Sequence, residues 1–361
     1  MRAAAPLLLL LAALPWGGAT GSDAMAEVDA RLQPYSGDVP GAALLVLRDG
    51  EAVVRRGVGL ADVAAGTPVT PASAFRLASV SKAFTAAAVL LLAEDGRLRL
   101  DDPVRRWLPA LPPLADGVTL HHLLSHTSGL PDYEDLMAAG FEGQVRDADI
   151  PALLAAGAPG FAPGSAYRYS NTGYALLALV VEQASGLAYP EFLRQRIFAP
   201  LGMASSVAFV DGVNAVPDRA YGHSAGADGW IRTDQSSTSA VLGDGGIYAS
   251  IDDMAKWDAA LYDDRLLSDA SRALAFSAQT RTATGEDDVA AYGYGWRLDG
   301  GLVWHSGETI GFRNVILRWP EQRLTVLMLT NRNHPRPYAA ARAIGEAFLR
   351  EPAAARDTAT P

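Results

Sequence analysis

Lys82 is one of two lysines in the chain, and it stands three residues after Ser79 at the mouth of a long apolar segment, LASVSKAFTA over 77–86. Residues three apart share a face of a helix. A serine hydroxyl is a poor nucleophile until a neighbouring base takes its proton. Burial and nearby positive charge both disfavour a lysine's charged form, so a lysine sunk in this segment would become a proton acceptor for Ser79. A helix start at the same place adds exposed N–H groups and positive potential beside the hydroxyl. The set suits a nucleophile. The competing reading is a lysine that snorkels from a helix end and does no chemistry.

Two further stretches carry groups of the same kind. YRYSNTGY places Tyr169, Ser170 and Asn171 in a Gly/Pro-bounded loop before a second apolar run. A phenol can relay a proton, and an amide can donate and accept around a carbonyl or an amine. The alternative here is a helix N-cap by Ser170 or Asn171, with Tyr169 as packing. VWHSGETIGF places His305, Ser306 and Gly307 at the end of an expected strand. Residues there can line a cleft, and Gly307 would let a ligand approach the backbone. The plain alternative is a strand-to-turn transition with an exposed histidine.

Other chemistries are excluded or disfavoured. The chain has no cysteine, which removes disulfides, thiolate metal ligands and a cysteine nucleophile. Net charge is −10, and the basic residues are scattered arginines without a stripe, so no nucleic acid partner is expected. His122 and His126 have the i, i+4 spacing of a helical metal pair, but Leu123 stands where a zincin needs glutamate, and no metal or organic cofactor is expected. GVGLAD lacks the third glycine of a dinucleotide fingerprint, and an α/β-hydrolase nucleophile elbow is not expected.

The elements that must position these groups follow from periodicity and turn residues. The first 24 residues hold one Arg, an apolar run from Ala3 to Pro15 and then small residues, the form of a secretory leader. Its apolar run is shorter than the roughly 20 residues of a membrane span. Cleavage after Gly21 or after Ala24 fits, and an uncleaved anchor is the alternative. A short helix is expected over 25–32. Two apolar runs around Asp49-Gly50 predict a hairpin. From Ser79 the chain leaves almost no polar face until Glu94-Asp95-Gly96, which predicts a buried helix that stops at Gly96. A second buried helix is expected over 173–185, and a third begins at Pro190. Ser250 and Asp253 suggest a capped helix start. After about 292, YGYGWRL, GLVWHS, FRNVILRW and RLTVLMLTN are separated by turn residues and predict a meander. A last helix is expected over 337–350, with a disordered tail over 351–361.

Taken together and in this order, Ser79-Val80-Ser81-Lys82, Tyr169-Ser170-Asn171 and His305-Ser306-Gly307 resemble the signature of the serine β-lactamase and penicillin-binding protein superfamily. The Tyr-x-Asn form is similar to the class C branch, which also holds DD-peptidases, D-amino-acid peptidases and esterases. GRLRLDDPV, HHLLSHTSGLPDY, IFAPLGM, GDGGIYASIDDMAKW and GYGW extend the likeness over about 30–350.

The resemblance implies an α+β fold: an antiparallel sheet built from both chain ends and flanked by helices, with an inserted mainly helical domain. The expected division is a signal peptide over 1–24, an α/β part over 25–94, the insertion over 95–240 and a second α/β part over 241–350. It also implies that Ser79 becomes acylated, that Lys82 and Tyr169 handle its proton, and that Asn171 orients substrate or Lys82. His305, Ser306 and Gly307 would contact substrate, the amides of Ser79 and Glu308 would form the oxyanion hole, and His126 would be structural.

One departure shapes the function. Typical class C β-lactamases begin the third motif with a lysine, whereas His305 titrates near neutrality and is a weaker anchor for a drug carboxylate. The reading is therefore an exported, periplasmic or secreted serine hydrolase of esterase or D-amino-acid peptidase type, acting on a small-molecule or peptide substrate. The membrane would be met only through the N-terminal segment before cleavage. A DD-carboxypeptidase or weak β-lactamase is the alternative within the class. A non-catalytic penicillin- or peptide-binding envelope receptor is the alternative from another class.

Overall fold

The computed structural model describes residues 21–282 and 289–351. Most of the leader expected over 1–24, and the tail from 352 onward, lie outside the described residues. Helix α1 spans Gly21–Leu32. Strands β1 (Ala42–Arg48) and β2 (Glu51–Val58) follow as the expected hairpin. Asp49 and Gly50 both take positive φ, 54° and 87°, as a two-residue turn matched to strand twist requires.

The remaining strands of this sheet come from the other end of the chain: β3 (Thr280–Arg281), β4 (Ala291–Tyr292), β5 (Arg297–Asp299), β6 (Leu302–Thr309), β7 (Phe312–Trp319) and β8 (Leu324–Thr330). Among the described residues they form one eight-stranded sheet in the order β3-β4-β5-β6-β7-β8-β1-β2. The closing pair is β1 with β8, antiparallel, with Leu45 opposite Leu327. The expected meander is present, and the two chain ends do share one sheet.

Period-two alternation sends these strands' side chains into two cores. Leu44 and Val46 join Val315, Leu317, Val326 and Met328 on one face, under α1 and the last helix, Tyr338–Arg350. Leu45 and Leu47 join Ile316, Leu327 and Leu329 on the other, which continues into the helical layer. Each fully buried side chain of this kind contributes about 1.5–3 kcal/mol.

In that layer, helix α2 spans Ser81–Glu94 and is buried from Ser81 to Leu92. It packs against α3, Asn171–Ser185, which ends at Gly186 in the left-handed conformation (φ 77°). A four-residue helix, α4 (Leu242–Gly245), closes over both. A small three-stranded sheet of Phe75–Arg76, Val207–Ala208 and Ile247–Ala249 leads the chain into α2.

Candidate active site

Ser79 is not on α2 itself. It sits in the 3-10 turn Ala78–Val80 immediately before the helix. Two backbone constraints hold that turn. Leu77 N–H donates to the Ile247 carbonyl at 2.8 Å, tying the turn to the small sheet. Ala78 has φ +50°, a conformation that costs a non-glycine residue and persists only where its surroundings impose it. One of those surroundings is β6: a Cβ on Gly307 would lie 2.0 Å from the Leu77 carbonyl oxygen. Gly307 was expected to admit a ligand, but the close approach it permits is by the chain's own turn.

Lys82 follows three residues later and is fully buried. Its Nζ donates to Ser79 Oγ at 3.0 Å, to Asn171 Oδ1 at 2.8 Å and to the Asp244 carbonyl at 3.1 Å. All three N–H groups of an ammonium are thereby matched to oxygens. Nζ also faces the Tyr169 ring, 5.0 Å from its centroid. The Tyr169 phenol makes no hydrogen bond among the described residues. The residues of the first two motifs thus meet around one amine.

Asn171 opens α3, and the cap of the alternative reading, by Ser170 or Asn171, is not the one present. Ser170 makes no side-chain cap bond. Instead Asp132 Oδ2 accepts the Asn171 N–H at 2.6 Å. This leaves the Asn171 amide free to bridge: Oδ1 faces Lys82, and Nδ2 donates to Glu134 Oε1 at 3.0 Å.

His305 departs from expectation. It is fully buried, with Nε2 3.0 Å from the Tyr292 hydroxyl and Nδ1 2.6 Å from the Ser306 carbonyl oxygen. Burial, with Arg297 and Lys82 nearby, holds its pKa well below the ordinary value. It is neutral at pH 7 and cannot serve as a titrating anchor. It stands behind Tyr169, with ring centroids 6.2 Å apart. Ser306 is half-buried beside it. Of this stretch Glu308 and Thr309 line the cleft at Ser79, together with Tyr133, Glu134, Asn171 and Asp244.

His122 and His126 do not share a helix face. The helix carrying His122 ends at Leu124, so His126 is not on its face; it has φ +58°. His126 is buried, accepts the Ser170 N–H at Nδ1 (3.2 Å) and packs on the Tyr169 ring at 4.3 Å. No cluster able to hold a metal ion is present among the described residues. Gly222-His223-Ser224-Ala225-Gly226 does have the G-x-S-x-G spacing of a nucleophile elbow, contrary to expectation. It lies on a hairpin strand paired with Gly229–Arg232, not on a strand-to-helix turn, and Ser224 Oγ pairs with Thr233 Oγ1 at 2.6 Å.

Sequence reasoning missed Tyr133, Glu134 and Asp244. Tyr133 donates to Asp244 Oδ2 at 3.0 Å. Burial above all pushes the Asp244 carboxyl up to about 7, against the pull of Lys82, and burial also raises Glu134. Tyr133 and Asp244 lie in the quoted stretches LPDY and GDGG, and Glu134 directly follows the first; isolated acids among turn residues give no signal of a shared cleft.

The profile of the beta-lactamase family matches residues 24–350. Penicillin-binding protein 4* of Bacillus subtilis (strain 168) is 34% identical over 317 residues, covering 82% of this chain and 69% of that protein. Esterase EstB of Burkholderia gladioli is 46% identical over 180 residues, 45% of each chain. Among solved structures, D-amino acid amidase from Ochrobactrum anthropi SV3 superposes with a TM-score of 0.80 at 26% identity, covering 91% of this chain and 99% of that one. A sheet closed from both chain ends, a serine and lysine joined at the start of a buried helix, and a profile match over almost the whole described chain agree: the chain belongs to the beta-lactamase family and is a serine hydrolase.

Proposed function

We propose that the protein is an exported hydrolase that opens an ester or amide by passing the acyl group first to Ser79 and then to water. The observation that carries this reading is the set of three oxygens around Lys82. A neutral amine has two N–H groups and one lone pair. Asn171 Oδ1 and the Asp244 carbonyl can only accept, so they take the two N–H groups. The lone pair is left facing Ser79 Oγ, the one partner with a proton to give.

Attack of Oγ on the substrate carbonyl then moves that proton to Nζ, forms the Oγ–C bond and places the electron pair on the carbonyl oxygen. The amides of Ser79 and Glu308 are the proposed donors to that oxygen. Collapse of the intermediate expels the leaving group, which takes a proton from Lys82 or through the Tyr169 phenol. Water then attacks the acyl-enzyme, giving its proton back along the same path.

The esterase and the D-amino acid amidase among the relatives support an ester or amide substrate. A neutral His305 supplies no cation for the carboxylate of a β-lactam, which places the penicillin-directed alternatives second. Export rests on the leader-like first 24 residues.

The test is a kinetic panel of a p-nitrophenyl ester, a D-amino-acid amide, a D-Ala-D-Ala peptide and nitrocefin, run with Ser79→Ala alongside. Continuous turnover of the first two, absent in a folded Ser79→Ala protein, is the expected result. A single stoichiometric burst would instead mark a receptor, and activity surviving in Ser79→Ala would remove Ser79 from the mechanism.

A further inference from the structure

Asp147 is a buried carboxylate that the chemistry above leaves unused. It opens the 3-10 turn Asp147–Asp149, and this turn is tied to the chain leading into α4: Val145 N–H donates to the Ser237 carbonyl at 2.8 Å, and Arg146 bridges Ala240. From there the side chain reaches the start of α4, 95 residues further along the sequence. Oδ2 accepts the Leu242 N–H at 2.8 Å, and Oδ1 accepts the Gly243 N–H at 3.0 Å. The first N–H groups of a helix have no partner inside it, and Val241, the residue before α4, supplies no cap. Both oxygens of Asp147 are thus spent on the first two amides of that helix.

α4 in turn carries the carbonyls that meet the nucleophile's side of the fold. The Gly243 carbonyl accepts from Thr85 Oγ1 at 2.6 Å, the Asp244 carbonyl from Lys82 Nζ at 3.1 Å and the Gly245 carbonyl from Arg76 Nε at 3.2 Å. A helix of four residues makes too few bonds of its own to fix where those carbonyls lie. Its place is set from outside: Gly243 is pressed on α3, where a Cβ would lie 2.2 Å from the Tyr174 carbonyl oxygen, and Asp147 holds the other side.

The Asp244 carbonyl matters because of what Lys82 would do without it. A neutral amine has two N–H groups, and Asn171 Oδ1 and the Asp244 carbonyl occupy them. If the carbonyl moved off, one N–H would be free to turn onto Ser79 Oγ, which accepts as well as donates. The amine would then donate to the nucleophile instead of accepting its proton.

We propose that Asp147 is a positioning residue for the base: by holding the first two amides of α4 it keeps the Asp244 carbonyl on Lys82, and so keeps the amine's lone pair on Ser79. This rests on Lys82 taking the Ser79 proton. Asp147 acts only through the backbone of α4.

The test is a double-mutant cycle on a p-nitrophenyl ester, with Asp147→Asn made in the full-length protein and in Lys82→Met. Asparagine keeps the shape, leaves one accepting oxygen and turns an N–H toward the other amide. Burial above all raises the Asp147 carboxyl to about 7, against the pull of its two amide bonds, so rates are read at about pH 8.5, where it is ionised. Alone, Asp147→Asn should lower kcat about ten- to a hundredfold and leave KM within about twofold. In Lys82→Met it should cost no more than about twofold, because two changes that act through one group do not add. Equal losses in both backgrounds would make Asp147 a support of the fold only and overturn the proposal, as would full activity of the single variant. Asp147→Ser, which removes the charge and keeps one shorter oxygen, goes through the same cycle, so the answer does not depend on one variant folding. Lys82→Met separates the two readings. A large loss there beside an additive cycle sinks the role of Asp147 alone. A Lys82→Met protein as active as the unmodified one, or no turnover by the unmodified one, sinks both.

Discussion

Lys82 Nζ and Asn171 Oδ1 are 2.8 Å apart although 89 residues separate them in the chain. That bond joins the first turn of α2 to the first turn of α3, and among the described residues Ser79 is the one hydrogen-bond partner of Lys82 with a proton to donate. Replacing the amine with an uncharged side chain of similar length should therefore remove proton transfer while the buried site stays filled. Lys82→Met is expected to lower kcat/KM for a p-nitrophenyl ester by about 10²–10⁴-fold, the usual share of a general base. Stopped-flow measurement of the acylation burst checks this, because the burst itself should slow. A fast burst with only slow turnover would confine Lys82 to deacylation.

The architecture was readable because its determinants are local. Asp49-Gly50 between apolar runs requires a hairpin, and a segment as apolar as 83–92, with Thr85 its one polar residue, requires a buried helix. Ser79, Lys82 and Asn171 were recognisable from type and spacing. What escaped were properties set by distant packing. Nothing local marks His305 as buried, since its burial depends on Tyr292 and Tyr169 coming across from other elements. Nothing local joins Tyr133 to Asp244, which are 111 residues apart. The cap on α3 likewise comes from Asp132 rather than from its own chain neighbour.

Gly307 tests how tightly the nucleophile's turn is gripped. A Cβ there would approach the Leu77 carbonyl oxygen to 2.0 Å, so either β6 or the Leu77–Ala78 turn must shift. Because misplacing a reacting group by about 1 Å can cost about a hundredfold, Gly307→Ala should lose at least that factor in kcat/KM while circular dichroism stays native-like. Gly160→Ala is the control, since its Cβ would meet nothing closer than 3.8 Å. Equal activity in the two variants would show that the contact does not hold Ser79.

A buried ion pair stabilises the sheet away from the site. Arg318 on β7 and Asp258 are 2.6 Å apart and almost fully buried, and Thr325 Oγ1 on β8 donates to the same carboxylate oxygen at 2.9 Å. Removing the anion leaves a guanidinium in an apolar setting against Tyr262 and Phe276. Asp258→Ala should cost about 3–5 kcal/mol, the range for an orphaned buried charge, read as a lower urea midpoint. A loss under about 1 kcal/mol, the value for exposed pairs, would mean that water reaches Arg318.

Acid should weaken the fold through His126 and His305. Both are fully buried, and burial is the largest cause holding each well below its ordinary value of 6.5 in the folded state. The folded protein therefore refuses a proton that the unfolded chain accepts once pH falls below about 6.5. Their contribution is complete above that pH and is lost as pH drops, at about 1.4 kcal/mol per unit for each histidine. Asp147 and Asp244, raised to about 7, act in the opposite sense: their stabilisation is complete near pH 4 and declines toward pH 7. Wild type alone would show only the balance of the two. The difference between wild type and a histidine variant isolates one ring, because the aspartates are common to both. His126→Asn suits the measurement, since asparagine tolerates the positive φ at this position. Its urea-derived stability should gain on wild type as pH falls from 6.5 toward 5, at up to about 1.4 kcal/mol per unit. A difference that stays constant with pH would mean that the His126 ring takes up its proton in the folded protein, and that the aromatic wall behind Tyr169 is open to water.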